Sequence, residues 1–167
     1  KGIRDYTAFL RLSVHPRDEE ALKRIINYPA RGIGKTSIEK LMIVANEENM
    51  SMWEALLAAQ AKGIRGNSLE SMQAFVQMIK YFQSMLKQHN AYDVAFQVGK
   101  HTGIVKELFN DKSAEGLARY ENIQELLNSI KEWVDDAENR SQIDEDGTVI
   151  EPPLNLPASN EPQANTD

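Results

Sequence analysis

The sequence contains no cysteine, so disulfide bonds and cysteine-based zinc sites are excluded. It has no signal-peptide pattern and no apolar run long enough to cross a bilayer, so we expect a cytoplasmic protein without a membrane partner. It shows no convincing alternation of apolar and polar residues, the pattern of a half-buried strand. It also begins at Lys1, without methionine and inside an apolar helical pattern, so we expect a piece of a longer polypeptide.

Residue patterns typical of catalysis are also missing. The three histidines, His15, His89 and His101, are isolated and lack the spacing of metal ligands. No serine lies in a nucleophile-elbow pattern. The sequence therefore predicts no catalytic residue, no metal site and no cofactor of its own.

The charge is unevenly distributed along the chain, whose formal net charge is −6. Residues 141–167 contain six acids and no Lys or Arg, which leaves 19 acids and 19 bases in the rest. Within this neutral part, residues 1–40 hold nine bases and five acids. A modest basic end suits a protein that touches phosphates at one place, although charge alone favours ordinary solvated helix faces.

Apolar residues recur at helical spacing along most of the chain, which predicts an all-α fold, a compact multi-helix domain. Pro16 ends the first helix, and Asp18 caps the second. Thr36 with Glu39, and Ser51 with Glu54, have the spacing of capping boxes that begin two further helices. We predict helices at 3–14, 18–26, from 36 and from 51, and then at 68–88, 92–98, 104–109 and 114–138, with Met42, Leu57, Leu117, Trp53 and Trp133 among the inward apolar residues.

The composition changes past residue 138, where four prolines interrupt a polar, acidic segment without aromatic residues. Such a segment buries too little apolar surface to offset the entropy lost on ordering. We therefore predict a helical domain at 1–139 and a flexible acidic tail or loop at 140–167.

The most informative segment is Pro29-Ala30-Arg31-Gly32-Ile33-Gly34-Lys35-Thr36-Ser37. Its two glycines permit a tight turn with positive φ that leads directly into a helix. Main-chain N–H groups at a helix start, aided by the helix dipole, form an anion site. Charge and hydroxyl groups add hydrogen bonds, and Ile33 is expected to point inward and fix the turn. The predicted phosphate-binding residues are Arg31, Gly32, Ile33, Gly34, Lys35, Thr36 and Ser37.

This segment has two other interpretations. A nucleotide P-loop needs a glycine five positions before Gly34, where this chain has Pro29, and it needs a preceding buried strand where the pattern is helical. A plain helix–turn–helix corner, with glycines only for chain reversal, stays open on the residues alone.

Four stretches of the chain resemble subdomain 2B of UvrD/PcrA/Rep-type superfamily 1 DNA helicases. They are residues 3–12 (IRDYTAFLRL), 16–21 (PRDEEA), 24–36 (RIINYPARGIGKT) and 119–126 (RYENIQEL). Together they bracket residues 1–138 in the order found in that family. The family's final 2B helix and the motor motif after it are not recognisable, and the acidic tail stands in their place.

The resemblance implies a function. It implies that Gly32, Ile33 and Gly34 form the family's Gly-Ile-Gly turn, which lies in a helix-hairpin-helix-like arrangement and contacts duplex backbone ahead of the fork. It further implies a parent enzyme that unwinds DNA 3′ to 5′ in repair or replication with ATP and Mg²⁺, whose motor domains are partners of this one. The ATP-binding loop, the magnesium strand and the arginine fingers of that motor are not among these residues. The expected function is accessory binding of duplex or junction DNA, and the alternative is a protein-interaction or autoregulatory module without DNA affinity.

Overall fold

The computed structural model of the protein describes residues 2–141, so the tail predicted at 140–167 lies almost entirely outside the described residues. Within residues 2–141 every regular element is an α-helix and no strand occurs, which confirms the predicted all-α class. The eight helices of this part are α1 (Gly2–Val14), α2 (Glu19–Ile25), α3 (Lys35–Glu47), α4 (Met52–Leu57), α5 (Gly66–Met85), α6 (Ala91–Thr102), α7 (Ile104–Asn110) and α8 (Ala114–Ser141).

The helices form two compact units, which we call the N-terminal unit and the C-terminal unit. The N-terminal unit comprises Arg4–Ser84, and the C-terminal unit comprises the described residues from Met85 on together with the first residues of α1. In the N-terminal unit α4 packs against both α2 and α3. Its core consists of fully buried apolar side chains, among them Tyr6, Phe9, Leu22, Ile25, Ile33, Leu41, Phe75 and Phe82.

The C-terminal unit consists mainly of α6, α7 and α8, which pack against one another. Gly103 has φ 79° and serves both as the C-cap of α6 and as the N-cap of α7. Apolar residues at helical spacing on α8, such as Ile123, Leu126 and Ile130, are buried. At the start of α8, Ser113 donates to Asp111 Oδ1 from its main-chain N–H at 3.0 Å and from its hydroxyl at 2.6 Å. These bonds lower the pKa of Asp111, the side-chain bond from Ser113 being the largest cause.

Several helix boundaries agree with those predicted from the sequence. The first helix ends at Val14, before Pro16. Asp18 caps α2, because its Oδ1 accepts from the N–H of Ala21 at 3.0 Å. Ser51 caps α4 by accepting from the N–H of Glu54 at 3.1 Å.

The predicted capping box at Thr36 is wrong. Helix α3 begins at Lys35, Gly34 is its N-cap, and no side chain caps it. The carbonyl of Gly34 accepts from the N–H of Ile38 at 3.1 Å, so the helical hydrogen-bond ladder already starts there. Thr36 consequently lies inside the first turn, where its hydroxyl is not at the cap position.

Some apolar residues predicted to face inward are exposed. Leu117 is 56% exposed, Leu57 is 49% exposed and Met42 is 41% exposed, while Trp133 is only half-buried. Helical periodicity identifies an apolar stripe, but the burial of each residue depends on whether a neighbouring helix covers that part of the stripe.

Candidate nucleic-acid interface

The loop between α2 and α3 is organised by the side chain of Asn27. Its Oδ1 accepts from the main-chain N–H of Arg31 at 3.0 Å and from that of Ile33 at 3.3 Å. The Tyr28–Pro29 peptide bond within this loop is cis. One side-chain amide oxygen thus accepts hydrogen bonds from two main-chain N–H groups of the turn. Sequence reasoning missed this residue, because an asparagine after a helix indicates a turn without showing which N–H groups it will meet.

The two glycines of the turn have different structural roles. Gly32 has φ 86°, in the left-handed region, and a Cβ there would lie 3.1 Å from the Ser71 Oγ. Gly34 has φ −73° and ψ 160°, which any residue adopts, and a Cβ there would meet nothing within 4 Å. The prediction of a positive φ therefore holds for Gly32 alone. Gly34 instead leaves open space beside the start of α3.

Ile33, between the glycines, is fully buried, which is the inward orientation predicted for it. The residues on either side of this anchor are exposed, namely Gly32, Gly34, Lys35 and Thr36, while Ser37 is half-buried. Burying one apolar side chain between exposed neighbours holds the main chain of the turn at the protein surface.

The N–H groups at the start of α3 have no acceptor among residues 2–141. The first four N–H groups of an α-helix have no partner within it, and no side chain caps this one. In α3 these groups extend from the N-cap, Gly34, into the first turn, Lys35 to Ser37. The helix dipole adds roughly half a positive elementary charge at this end. The exposed start of α3 can therefore bind an anion, with the Lys35 ammonium and the Thr36 hydroxyl beside it.

Arg31 differs from the other predicted site residues in its surroundings. Its guanidinium carbon lies 5.7 Å from the ring centre of Phe9 and 5.2 Å from that of Phe75. Its Nη2 donates to the carbonyl of Tyr28 at 2.8 Å, and its buried Nε has no acceptor among residues 2–141. Burial lowers the pKa of Arg31 to about 10, so the group stays charged at neutral pH. Its side chain packs against the core under the turn, while Gly32, Gly34, Lys35 and Thr36 are exposed on the outer surface.

A cleft of about 500 Å³ adjoins this turn and is lined in part by two of its residues, Thr36 and Ser37. The opposite wall comes from the segment before α5, Gly63 to Arg65. The sequence pattern predicts a helix break at these glycines, and both Gly63 and Gly66 have positive φ. Sequence reasoning gave this segment no part in the site, because periodicity does not indicate which separate segments meet.

The sequence of the chain matches a known protein family. A family model described as the UvrD-like helicase C-terminal domain matches residues 1–151. The chain therefore belongs to this family.

Among curated proteins, the chain is 29% identical over 143 residues to the ATP-dependent DNA helicase PcrA of Bacillus subtilis, which is 86% of this chain and 19% of that protein. It is 28% identical over 144 residues to DNA helicase II of Haemophilus influenzae, covering 84% of this chain and 20% of that protein. It is 32% identical over 134 residues to a probable DNA helicase II homolog of Rickettsia felis, covering 80% and 20%. The chain spans about a fifth of the length of these relatives.

Two features are absent from residues 2–141. No group of three or more His, Cys, Asp or Glu side chains in this part could hold a metal ion. No helix in this part is both long and apolar enough to span a membrane.

Proposed function

We propose that this chain is the accessory, duplex-binding domain of a cytoplasmic ATP-dependent 3′–5′ DNA helicase of repair or replication, corresponding to subdomain 2B. Its ligand is the backbone of duplex or single-strand/double-strand junction DNA, and its protein partners are the motor domains of the parent. The chain is non-catalytic and needs no cofactor, whereas the parent uses ATP and Mg²⁺. The names of the curated relatives and the family membership support the helicase parent.

The observation that carries the proposal is the uncapped, exposed start of α3 at Gly34. Main-chain N–H groups recognise a phosphate without reading a base, so binding is independent of sequence. The absence of a side chain at Gly34 lets a phosphodiester approach these donors, since a Cβ built there faces open space. Lys35, Thr36 and Ser37 add a cation and two hydroxyls, and Arg31, Gly32 and Ile33 hold the turn in place.

The experiment compares duplex binding by the wild type and by Gly34→Leu, measured by fluorescence anisotropy at low salt. The leucine adopts the observed backbone without strain and fills the space into which the phosphate would come. We expect wild-type affinity of roughly 10⁻⁴–10⁻⁶ M, independent of sequence, and a clear loss in the variant. Ala118→Leu, which also introduces a leucine at an exposed helix position but in α8 of the C-terminal unit, serves as control and keeps wild-type binding.

Two outcomes contradict the proposal in different ways. Wild-type protein that fails to bind duplex at low salt contradicts the DNA-binding function. A Gly34→Leu variant that keeps its helicity and binds as tightly as wild type contradicts the site.

A second candidate function, a protein-interaction or autoregulatory module, is favoured by another observation. A cleft of about 530 Å³ is lined by Met42, Ile43, Met50 and Met52, and the first two side chains are exposed. Methionine-rich clefts adapt to apolar partners. Calorimetric binding to the parent's motor segment that is lost in Ile43→Asp, together with no duplex binding at low salt, would favour this function.

A further inference from the structure

The cleft beside the glycine turn carries cations from two separate segments. Lys40 comes from α3, one helical turn after Thr36, and Arg65 comes from the segment before α5. Glu39 and the exposed Ile43 line the same cleft. The two bases outnumber the one carboxylate, so the cleft has a net positive charge.

Some other bases of the N-terminal unit pair with carboxylates. Within the unit there are four such pairs among the described residues. They are Arg11–Asp18 at 3.4 Å, Arg17–Glu54 at 3.2 Å, Arg24–Asp5 at 2.9 Å and Lys62–Glu48.

Lys40 and Arg65 are exposed and have no carboxylate partner among residues 2–141. Two cations that share a cleft repel each other, and an anion bound between them offsets that repulsion. The charge of the cleft thus favours an anionic occupant over an apolar one.

We propose that this cleft is a second phosphate site, occupied by the same DNA strand whose phosphate binds at Gly34, with Lys40 and Arg65 each neutralising one phosphate. The inference rests on the proposed function, because it extends the contact made at the glycine turn. Thr36 and Ser37 belong both to that turn and to the cleft wall, so a backbone bound at one continues into the other.

The spacing along α3 is compatible with one strand. Residues four apart on a helix, such as Thr36 and Lys40, have Cβ atoms about 5–6 Å apart. Successive phosphates on one strand of B-DNA advance about 3.4 Å along the axis, so this span corresponds to one or two nucleotides. The exposed Ile43 offers an apolar surface for the sugar between them.

The test is the salt dependence of duplex binding by the full chain. Each neutralised phosphate contributes about 0.9 to the magnitude of the slope of log affinity against log salt. We therefore expect Lys40→Ala/Arg65→Ala to lower that magnitude by about 1.8. Between 50 and 200 mM salt, the wild type should lose about twelvefold more affinity than the variant.

Two matched variants separate this site from general charge effects. Arg4→Ala/Lys80→Ala removes the same two side-chain types from exposed positions outside the cleft and keeps the wild-type slope. Lys40→Arg/Arg65→Lys retains both charges and also keeps it.

A wild-type slope in Lys40→Ala/Arg65→Ala, or the same reduced slope in the Arg4/Lys80 control, overturns the second site. Neither result contradicts the phosphate site at Gly34 if Gly34→Leu still weakens duplex binding. Failure of the wild type to bind duplex at all is the separate result that contradicts the proposed function and this inference with it.

Discussion

Replacing Gly34 by serine is predicted to raise stability and lower DNA affinity together. Serine at the N-cap accepts a hydrogen bond from the first turn of α3, which Gly34 cannot do. Relative to glycine, that cap contributes a few tenths of a kcal/mol. Restricting the unfolded chain adds about 0.4–1 kcal/mol, because φ −73° suits any residue and the Cβ meets no neighbour.

The gain of about 1 kcal/mol corresponds to a rise in Tm of about 2–4 °C for a chain of this size. The same serine oxygen occupies a donor that a phosphate would use. A hydrogen bond to a charged group contributes about 1.5–3 kcal/mol, so the loss in duplex affinity should be about tenfold or more.

The assays are thermal unfolding followed by circular dichroism and duplex binding followed by anisotropy. Gly34→Ala is the matched control, because its gain from restricting the unfolded chain is offset by alanine being a poorer N-cap than glycine, so stability should stay nearly unchanged. A lower Tm in Gly34→Ser would contradict the uncapped start of α3. A higher Tm with undiminished duplex affinity would refute the reasoning that the free N–H donors at this helix start bind DNA.

Two further predictions concern stability alone. Gly32→Ala should lower the free energy of unfolding by about 1–2 kcal/mol in urea titrations, because φ 86° is costly for a residue with a Cβ, and an unchanged value would contradict the described turn. The lowered pKa of Asp111 means that its hydrogen bonds from Ser113 stabilise the fold above the ordinary carboxyl pKa, and that this contribution is lost as pH falls through the lowered pKa. Stability measured against pH should therefore be less acid-sensitive in Asp111→Asn than in wild type, and equal acid sensitivity would count against this assignment.

The start of each helix was predictable to the extent that it depends on local chemistry. Pro16 and Asp18 define the end of α1 and the start of α2, because a ring constraint and a short carboxylate act on the adjacent main chain. At α3 the same reasoning failed. Thr36 and Glu39 have the spacing of a capping box, but the helical ladder begins at the carbonyl of Gly34, and spacing does not show where it begins.

The candidate site was predictable in its main chain and less so in its side chains. The Gly-Ile-Gly pattern indicated the turn, its inward isoleucine and the exposed helix start. The pattern could not show that the Arg31 guanidinium packs over Phe9 and Phe75, since these rings come from α1 and α5. The positions of Asn27 and Arg65 likewise depend on contacts between segments that are separate in sequence.

The hydrogen bonds that Asn27 makes have a consequence for how the domain would engage and leave DNA. Because one side-chain oxygen accepts from the N–H groups of both Arg31 and Ile33, the shape of the loop is fixed by the protein's own hydrogen bonds. Association then carries little entropic penalty for ordering the loop, so a few phosphate contacts suffice for a useful encounter. Dissociation would likewise require no unfolding of the loop, as expected for the proposed duplex-binding domain.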